Sequence, residues 1–407
     1  MVDRAITRLT SLAISSARFS YFAAGYSLAC WYSQVPAVRE RLGLNDLELG
    51  CALTIAPLTT LISTFLYGRL SSDAHKGRRL SISLVLLSTF VLGIGLADSK
   101  PWLFISLVLL GISNCAVQIE SNSRAHLVED VSRKSFSLSC HGFYSVGVAV
   151  AGVLATIIPG NNAGPPMLLF SPGLVVLVGL GIFRIQPIQE AASREAAEAS
   201  WSERTVRLSR GLPIVLLPGL GMVLLALEST VNGWHSALAL ENDPGADWPG
   251  IIFAAYGTGS LLIRFTGDFV RRKYGLLTTF VVMFPVSFSC FAIYLMTHSV
   301  LVLVVFFFLL GVALGIAYPD ALRLASLREG SGSNREISTV IKFGTLGVVL
   351  SNPAIGLTSE FIGVGGAFLV LNIVALVAAG PVAVKLVSSA KEMAFGTRRE
   401  SAGRINR

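Results

Sequence analysis

The apolar run at 212–236 contains three polar residues whose spacing places them on one face of a helix. Glu228, Asn232 and His235 follow at intervals of four and three residues, so a helix presents a carboxylate, an amide and an imidazole on one side. If the run crosses a membrane, the carboxylate costs about 2.5–3.5 kcal/mol to insert, which favours a functional role. Glu228 can bind a cationic or hydroxylated solute or carry a coupling proton. A hydrogen-bonded structural carboxylate is the alternative.

Two further pairs of residues suit the binding of a sugar-like ring. Asn114 and Gln118 are four residues apart, and their amides can meet hydroxyl groups or bond a neighbouring helix. Trp31 and Gln34 place an aromatic ring beside an amide, which suits a cyclitol or an ammonium, although an interfacial aromatic belt is the alternative. The candidate solute-binding residues are Trp31, Gln34, Asn114, Gln118, Glu228, Asn232 and His235.

Charged residues elsewhere in the apolar runs predict ion pairs. Glu120 lies four residues before Arg124, and we expect the two to pair on one helix face, although Glu120 is also a second candidate for proton coupling. Asp320 and Lys342 stand at matching depth in separate runs and predict an interhelical pair. Such a pair either locks one access state or is plain structure.

The composition requires a bilayer around these residues. The mean hydropathy is +0.68, with 53% apolar and 14% charged residues, so a water-soluble globule of this size would expose too much apolar surface. Crossing the hydrocarbon takes roughly 20 apolar residues per helix. Twelve such runs occur, near 16–35, 47–68, 80–98, 102–125, 136–158, 167–185, 212–236, 249–266, 277–296, 300–322, 336–358 and 365–386.

The distribution of basic residues predicts the orientation. Of the 32 Lys and Arg residues, only Arg39, Arg41 and Lys100 fall opposite the termini, so we expect both termini to be cytoplasmic in a bacterial inner membrane. This topology explains the net charge of +8 without a nucleic-acid partner. The five cysteines have neither metal nor disulfide spacing, and we expect no metal or cofactor.

An internal repeat divides the chain. Arg69-x-x-x-Asp73 and Arg264-x-x-x-Asp268 lie 195 residues apart, each followed by basic residues and a glycine. The repeat predicts two six-helix halves, at 1–185 and 212–387, joined by a linker at 186–211. We expect the tail at 388–407 to be disordered or bound to the membrane surface. The four repeated residues can bond helix termini across the halves and form a gate.

The loop after the second run resembles the signature of the major facilitator superfamily. Gly68, Asp73, Gly77, Arg78 and Arg79 supply its glycines, aspartate and basic pair. The resemblance extends over the whole chain and implies two pseudo-symmetric six-helix bundles, with transport by alternating access. We expect a monomer. No ATP-binding loop is present in the sequence, so the energy would come from a gradient, with protons the natural coupling ion.

Residues 122–129 and 140–147 look like a bacterial subgroup of that superfamily associated with rhizopine. That resemblance implies a cyclitol or inositol-derived amine as cargo. Leu107 stands where drug/proton antiporters carry an arginine, and the sugar-porter signature is missing after 184–187, so both typical classes are disfavoured. A multidrug or other metabolite efflux carrier and a non-transporting receptor remain alternatives. The scattered histidines argue against an enzyme.

Overall fold

The computed structural model describes the backbone of residues 2–70, 76–132, 137–158, 167–183, 215–241, 248–274, 282–328 and 335–405. Within these ranges it does not describe the side chains of residues 2–13, 68–70, 126–132 and 385–405, nor those of several other residues near helix ends. The described backbone consists of helices and turns and contains no strand. The all-helical class expected from the sequence is therefore confirmed.

The first half of the described chain forms seven α-helices and one short 3-10 helix. In chain order these are α1 (Val2–Ser33), α2 (Val35–Leu42), α3 (Asp46–Leu70), α4 (Lys76–Gly95), α5 (Lys100–Ser132), α6 (Ser137–Ile157), the 3-10 helix Met167–Phe170 and α7 (Ser171–Phe183). With eight residues, α2 is too short to cross a bilayer. We call the side where α1 begins the terminal face, and the side of α2 and Gly43 the opposite face.

The second half contains five described helices. They are α8 (Leu216–Leu240), α9 (Trp248–Tyr274), α10 (Phe284–Thr297), α11 (Val300–Arg328) and α12 (Arg335–Ile405). Gly363 breaks α12 with a φ of 74°, and Glu241 accepts hydrogen bonds from the N–H groups of Val364 and Gly365 at 2.7 and 2.8 Å. The carboxylate thus caps a new helix after the break. α12 therefore supplies two spans, and the predicted total of twelve is confirmed.

Two helices are longer than the hydropathy pattern predicts. α9 continues to Tyr274, eight residues beyond the predicted span 249–266, so the backbone of the repeated segment from Arg264 to Asp268 is helical throughout and not a loop. α12 is helical to Ile405, where we expected a disordered or surface-bound tail. Charged residues end an apolar run without ending a helix, and the Ala, Lys, Glu and Arg residues of the tail favour helix formation.

Membrane-spanning character is clear within the described residues. Seven helices there are long and apolar enough to cross a bilayer, and shorter apolar helices cover 168–182 and 284–297. Leu174, Phe361 and Leu301 are among many apolar side chains that stay exposed on the outside of the bundle. An apolar exterior of this kind matches the hydrocarbon of a bilayer.

The two halves meet along seams where small residues allow close approach. α6 packs on α9, where a methyl group added to Gly152 would lie 2.5 Å from the backbone nitrogen of Ala254. α3 packs on the first part of α12 near the opposite face, where a methyl group on Gly356 would lie 2.6 Å from the carbonyl oxygen of Asp46. Glycine at such contacts lets two helix backbones touch.

None of the five cysteines forms a disulfide bond within the described residues. Cys30, Cys115 and Cys140 are buried, Cys290 is partly buried, and Cys51 is exposed beside the α3–α12 seam. The whole of the predicted linker at 186–211 lies outside the described residues, as do Asp73 and the side chains of Arg69 and Asp268. The gate predicted from the repeated loops therefore stays a prediction for these three residues.

Candidate functional site

A cavity of about 620 Å³ lies between the two halves. Helices α1, α5 and α6 form one wall, and α8, α9 and α11 form the other. Its polar lining residues are Tyr21, Asn114, Gln118, Ser121, Asn122, His141, Tyr144, Glu228, Arg264 and Tyr318. Of the predicted solute-binding residues, the structure therefore brings Asn114, Gln118 and Glu228 into one cavity.

Glu228 is the only carboxylate among the described residues that line this cavity, and Arg264 is the only guanidinium. Glu228 Oε1 lies 3.7 Å from Arg264 Nη2, and a quarter of its side chain stays exposed. The hydroxyl of Tyr256 also hydrogen-bonds Glu228. The contact with Arg264 is long for an ion pair, so a proton or a cationic solute can compete with the guanidinium for this carboxylate.

Arg264 links the charged site to the other half of the molecule. Its Nη1 donates to Ser145 Oγ at 2.5 Å and to the carbonyl oxygen of His141 at 3.2 Å, both on α6. Ser145 in turn lies 3.2 Å from Ser260 Oγ on α9. One guanidinium therefore contacts Glu228 of the second half and α6 of the first, which ties the charge on Glu228 to the seam between them.

Four tyrosines from four helices lie within electrostatic range of the same carboxylate. Tyr32, Tyr144, Tyr256 and Tyr318 all interact electrostatically with Glu228. A phenol offers a hydroxyl donor and an aromatic face, and an aromatic face beside a carboxylate suits an ammonium group. Sequence reasoning did not assign these tyrosines to the site, because they come from α1, α6, α9 and α11 and share no local spacing.

The facing wall of α5 is neutral and rich in amides. Asn114 and Gln118 lie on it together with Ser121 and Asn122, and Tyr21 donates a hydrogen bond to Asn122 Oδ1. The Oδ1 of Asn114 and the Oγ of Ser121 are buried and have no hydrogen-bond partner within the described residues. Unsatisfied polar atoms that face a cavity are ready to bond a hydroxylated solute.

The other predicted solute-binding residues lie at a different level. Trp31, Gln34 and His235 are buried towards the opposite face, and Asn232 is partly buried without lining the cavity. His235 stacks on Phe253 at 4.3 Å between ring centroids, and its Nδ1 lies 3.1 Å from two carbonyl oxygens of its own helix. Seven residues along a helix amount to about 10 Å, so a shared face does not put His235 in the same cavity as Glu228.

The predicted partner of Glu120 needs correction. Glu120 Oε1 lies 3.0 Å from Arg79 Nε and accepts a hydrogen bond from Tyr67 at 2.6 Å, whereas Arg124 Nε donates to Ser16 Oγ at 2.9 Å. Helices α3 and α4 pack against the Glu120 face of α5 and supply partners that spacing within α5 does not reveal. Glu120 does not line the cavity.

The expected ion pair between Asp320 and Lys342 is not formed. Asp320 is fully buried on α11, whereas the side chain of Lys342 is exposed on α12. Matching depth places two residues at one level but does not turn them towards each other. Arg264, predicted as part of a gate, lies within α9 and lines the cavity, where it bonds α6 across the halves, so its gating role stays a prediction.

Contacts between the halves close the cavity towards the opposite face. Ser359 Oγ of the second half donates to Asp46 Oδ2 at 3.1 Å, and Arg39, in the same half as Asp46, lies with Nη2 2.5 Å from Asp46 Oδ1. Asn352 Nδ2 donates to the carbonyl oxygen of Leu53 in the other half at 3.4 Å and to Ser229 Oγ in its own half at 3.0 Å. A second pocket of about 530 Å³ opens beyond these contacts, between α2, α3, α8 and α12.

Comparison with known proteins gives the same architecture. The family model for the Major Facilitator Superfamily matches residues 17–328. The chain is 23% identical over 372 residues to the membrane protein MosC of Rhizobium meliloti, covering 90% of this chain and 89% of that protein. It is 24% identical over 364 residues to an uncharacterized MFS-type transporter of Yersinia pestis, covering 87% and 90%.

Two solved structures share the fold. The nucleoside transporter NupG matches with a TM-score of 0.67 at 12% identity, covering 93% of this chain and 99% of that one. A bacterial homolog of the human lysosomal transporter Spinster, in an inward-facing and unoccupied conformation, matches with a TM-score of 0.64 at 14% identity, covering 93% and 98%. At these identities the likeness concerns the fold alone.

Proposed function

The chain belongs to the major facilitator superfamily, and from that premise we propose that it carries a small hydroxylated amine or cyclitol by alternating access, with proton coupling at Glu228. It is a multi-pass membrane protein of a transporter family and not an enzyme. We place it in the bacterial inner membrane with both termini in the cytoplasm, because the basic residues are concentrated on the terminal face.

The observation that supports this cargo is the pairing of one carboxylate with a neutral amide wall. Glu228 and its surrounding tyrosines suit an ammonium group, and Asn114 and Gln118 across the cavity suit hydroxyl groups. An amino-substituted cyclitol carries both kinds of group on one small ring. The resemblance to the rhizopine-associated subgroup supports the same class.

The arrangement also supports a coupling step. With Glu228 ionised, Arg264 is shared between that carboxylate and α6. Protonation of Glu228, or an ammonium bound to it, weakens the attraction for Arg264 and so alters the seam that must change when the halves rock. A proton and a cationic solute then compete for one group, which is a simple basis for exchange.

The test is uptake by purified protein in liposomes. Labelled scyllo-inosamine and myo-inositol are supplied with and without an imposed pH gradient, for the wild type, Glu228→Gln and the control Glu360→Gln, whose exposed carboxylate lies on α12 away from the cavity. We expect gradient-dependent uptake that Glu228→Gln abolishes and Glu360→Gln retains. Uptake that survives in Glu228→Gln removes that residue from coupling.

The absence of uptake of either compound under any gradient would exclude the proposed cargo. A thermal-shift screen of amines, polyols and lipophilic drugs then separates the remaining possibilities. If lipophilic drugs stabilise the wild type but not Glu228→Gln, an efflux carrier of such compounds is favoured. In that case the carboxylate of Glu228 would bind the cationic group of the drug in the cavity.

A further inference from the structure

A layer of buried polar atoms separates the cavity from the pocket on the opposite face. Glu228 lines the cavity, and Ser236 lines the pocket about 12 Å further along α8. Around this level, seven residues each have a buried side-chain polar atom without a hydrogen-bond partner among the described residues. These residues, the polar layer, are Ser33, Gln34, Thr230, Trp234, His235, Ser236 and Asn352.

The polar layer is assembled from both halves of the molecule. Ser33 and Gln34 close the end of α1, four members come from α8, and Asn352 comes from α12. The Oδ1 of Asn352 would lie 3.2 Å from a methyl group on Gly233, so this amide is directly against α8. All seven side chains are at most 6% exposed.

An apolar seal would close this side at lower cost. A buried donor or acceptor without a partner loses its hydrogen bonds to water and regains none, whereas an aliphatic group of the same shape loses nothing. Buried polar groups in folded proteins are nearly always bonded, so seven exceptions between the cavity and the opposite-face pocket indicate partners in another state of the molecule.

The chemistry of the layer indicates what those partners are. Its free atoms include the indole donor of Trp234, the amide acceptors of Gln34 and Asn352, and the hydroxyl of Thr230. None of them belongs to a carboxylate, an ammonium or a guanidinium group. The ring of Trp31 is buried at the end of α1, three residues before Gln34. Neutral donors and acceptors beside indole rings match a carbohydrate-like solute.

We propose that the polar layer is a second solute site, which binds the hydroxyl groups of a carbohydrate-like solute when the halves separate at the opposite face. The inference rests on the proposed function, because it assumes that the halves rock. In this scheme the polar layer receives the hydroxyl groups from one side, and Glu228 receives the ammonium group in the central cavity.

The test follows the opening of the layer by thiol labelling of purified protein in lipid nanodiscs. Ser236→Cys is placed in a background whose five native cysteines are replaced, and its rate of reaction with a soluble maleimide is measured. The layer is made less polar with Gln34→Met and Thr230→Val, which keep shape and remove hydrogen-bonding atoms. Ser287→Ala is the matched control, since Ser287 is equally buried and its hydroxyl also has no hydrogen-bond partner among the described residues, but it lies on α10, outside the layer.

We expect Gln34→Met and Thr230→Val together to slow labelling about tenfold or more. The two substitutions remove unsatisfied polar atoms whose burial destabilises only the closed state, so the closed state becomes more stable and opens less often. Ser287→Ala leaves the rate unchanged. We also expect saturating myo-inositol or scyllo-inosamine to slow labelling of the Ser236→Cys protein about threefold or more, since a bound solute covers the thiol.

An unchanged labelling rate in the apolar variant overturns the inference. A slowed rate in that variant without protection of Ser236→Cys by either compound also overturns it, because the layer would then act only as a gate and not as a solute site. The outcome is separate from that of the uptake experiment. Uptake lost in Glu228→Gln with no effect on labelling supports the central site and rejects the polar layer. Protection from labelling without any uptake rejects transport of these solutes and retains the layer as a binding site.

Discussion

At the scale of single residues, Arg264 connects the charged site to both halves of the molecule. It contacts Glu228 on α8 and two oxygen atoms on α6, so one planar group serves three partners. A lysine ammonium keeps the charge but has neither the fork nor the spread of donors for all three. The identity of the residue should therefore matter as much as its charge.

We predict that Arg264→Lys lowers the initial uptake rate about tenfold or more. The control is Lys342→Gln, which removes an exposed charge that pairs with nothing in the described structure and should leave uptake within about twofold of wild type. Both are measured as initial rates per milligram of reconstituted protein. Equal losses in the two variants would show that overall positive charge, and not the geometry of Arg264, supports transport.

Glu120 should behave in the opposite way. Glu120→Gln removes the negative charge 3.0 Å from Arg79 Nε and leaves Tyr67 with a weaker acceptor. We therefore predict a loss of about 1–3 kcal/mol of stability, less than for a fully buried pair because Arg79 is partly exposed. Thermal unfolding in detergent measures this loss. The dependence of uptake on a pH gradient should persist, and its disappearance would return Glu120 to the coupling site.

At the scale of helices, the close contacts at glycines decide which elements can come together. The α6–α9 seam has no room for a methyl group at Gly152, whereas Gly173 on α7 has open space around it. Overpacking a tight contact forces the backbones apart, while alanine in an open helical position improves helix propensity. The same substitution, glycine to alanine, should therefore change the stability of the protein in opposite directions at these two positions.

We predict that Gly152→Ala lowers the stability of the protein by about 1–3 kcal/mol and that Gly173→Ala leaves it unchanged or slightly higher. The midpoint of thermal unfolding, followed by intrinsic fluorescence in one detergent, compares the two variants directly. Identical midpoints would mean that α6 and α9 do not make this contact in the folded protein.

Helix number and order were predictable from the sequence, because apolar length reports membrane crossing directly. Helix ends were less predictable: α9 runs on to Tyr274, beyond the predicted span, because charged residues interrupt hydropathy but not backbone hydrogen bonding. Glu228, Asn114 and Gln118 were found from polarity inside apolar runs. The depth of His235 in the bundle and the partner of Glu120 were not predicted. Periodicity gives the direction of a side chain around its own helix but does not show which helices pack against that side.

At the scale of the whole molecule, closure at the opposite face depends on contacts between α3 and α12. Asp46 accepts a hydrogen bond from Ser359 and is held by Arg39 within its own half. If the halves rock, these contacts must break once in each cycle, whereas those within a half persist. A covalent bond at this point should stop the cycle.

We predict that Asp46→Cys combined with Ser359→Cys, in a background without the native cysteines, transports only when reduced. Oxidation should abolish uptake, and a reducing agent should restore it. Asp46→Cys alone serves as the control and should show no effect of oxidant. Full uptake by the demonstrably cross-linked protein would mean that the halves do not separate at this face.

The exposure of Cys51 has a practical consequence. Cys51 is exposed beside Gly50, where α3 touches α12. Of the other four cysteines, three are buried and one is partly buried. The unaltered chain thus carries its own preferred attachment point for a fluorophore or spin label. A dye placed there adjoins the contact between the halves, so its emission can follow their separation in real time without engineering the transport path.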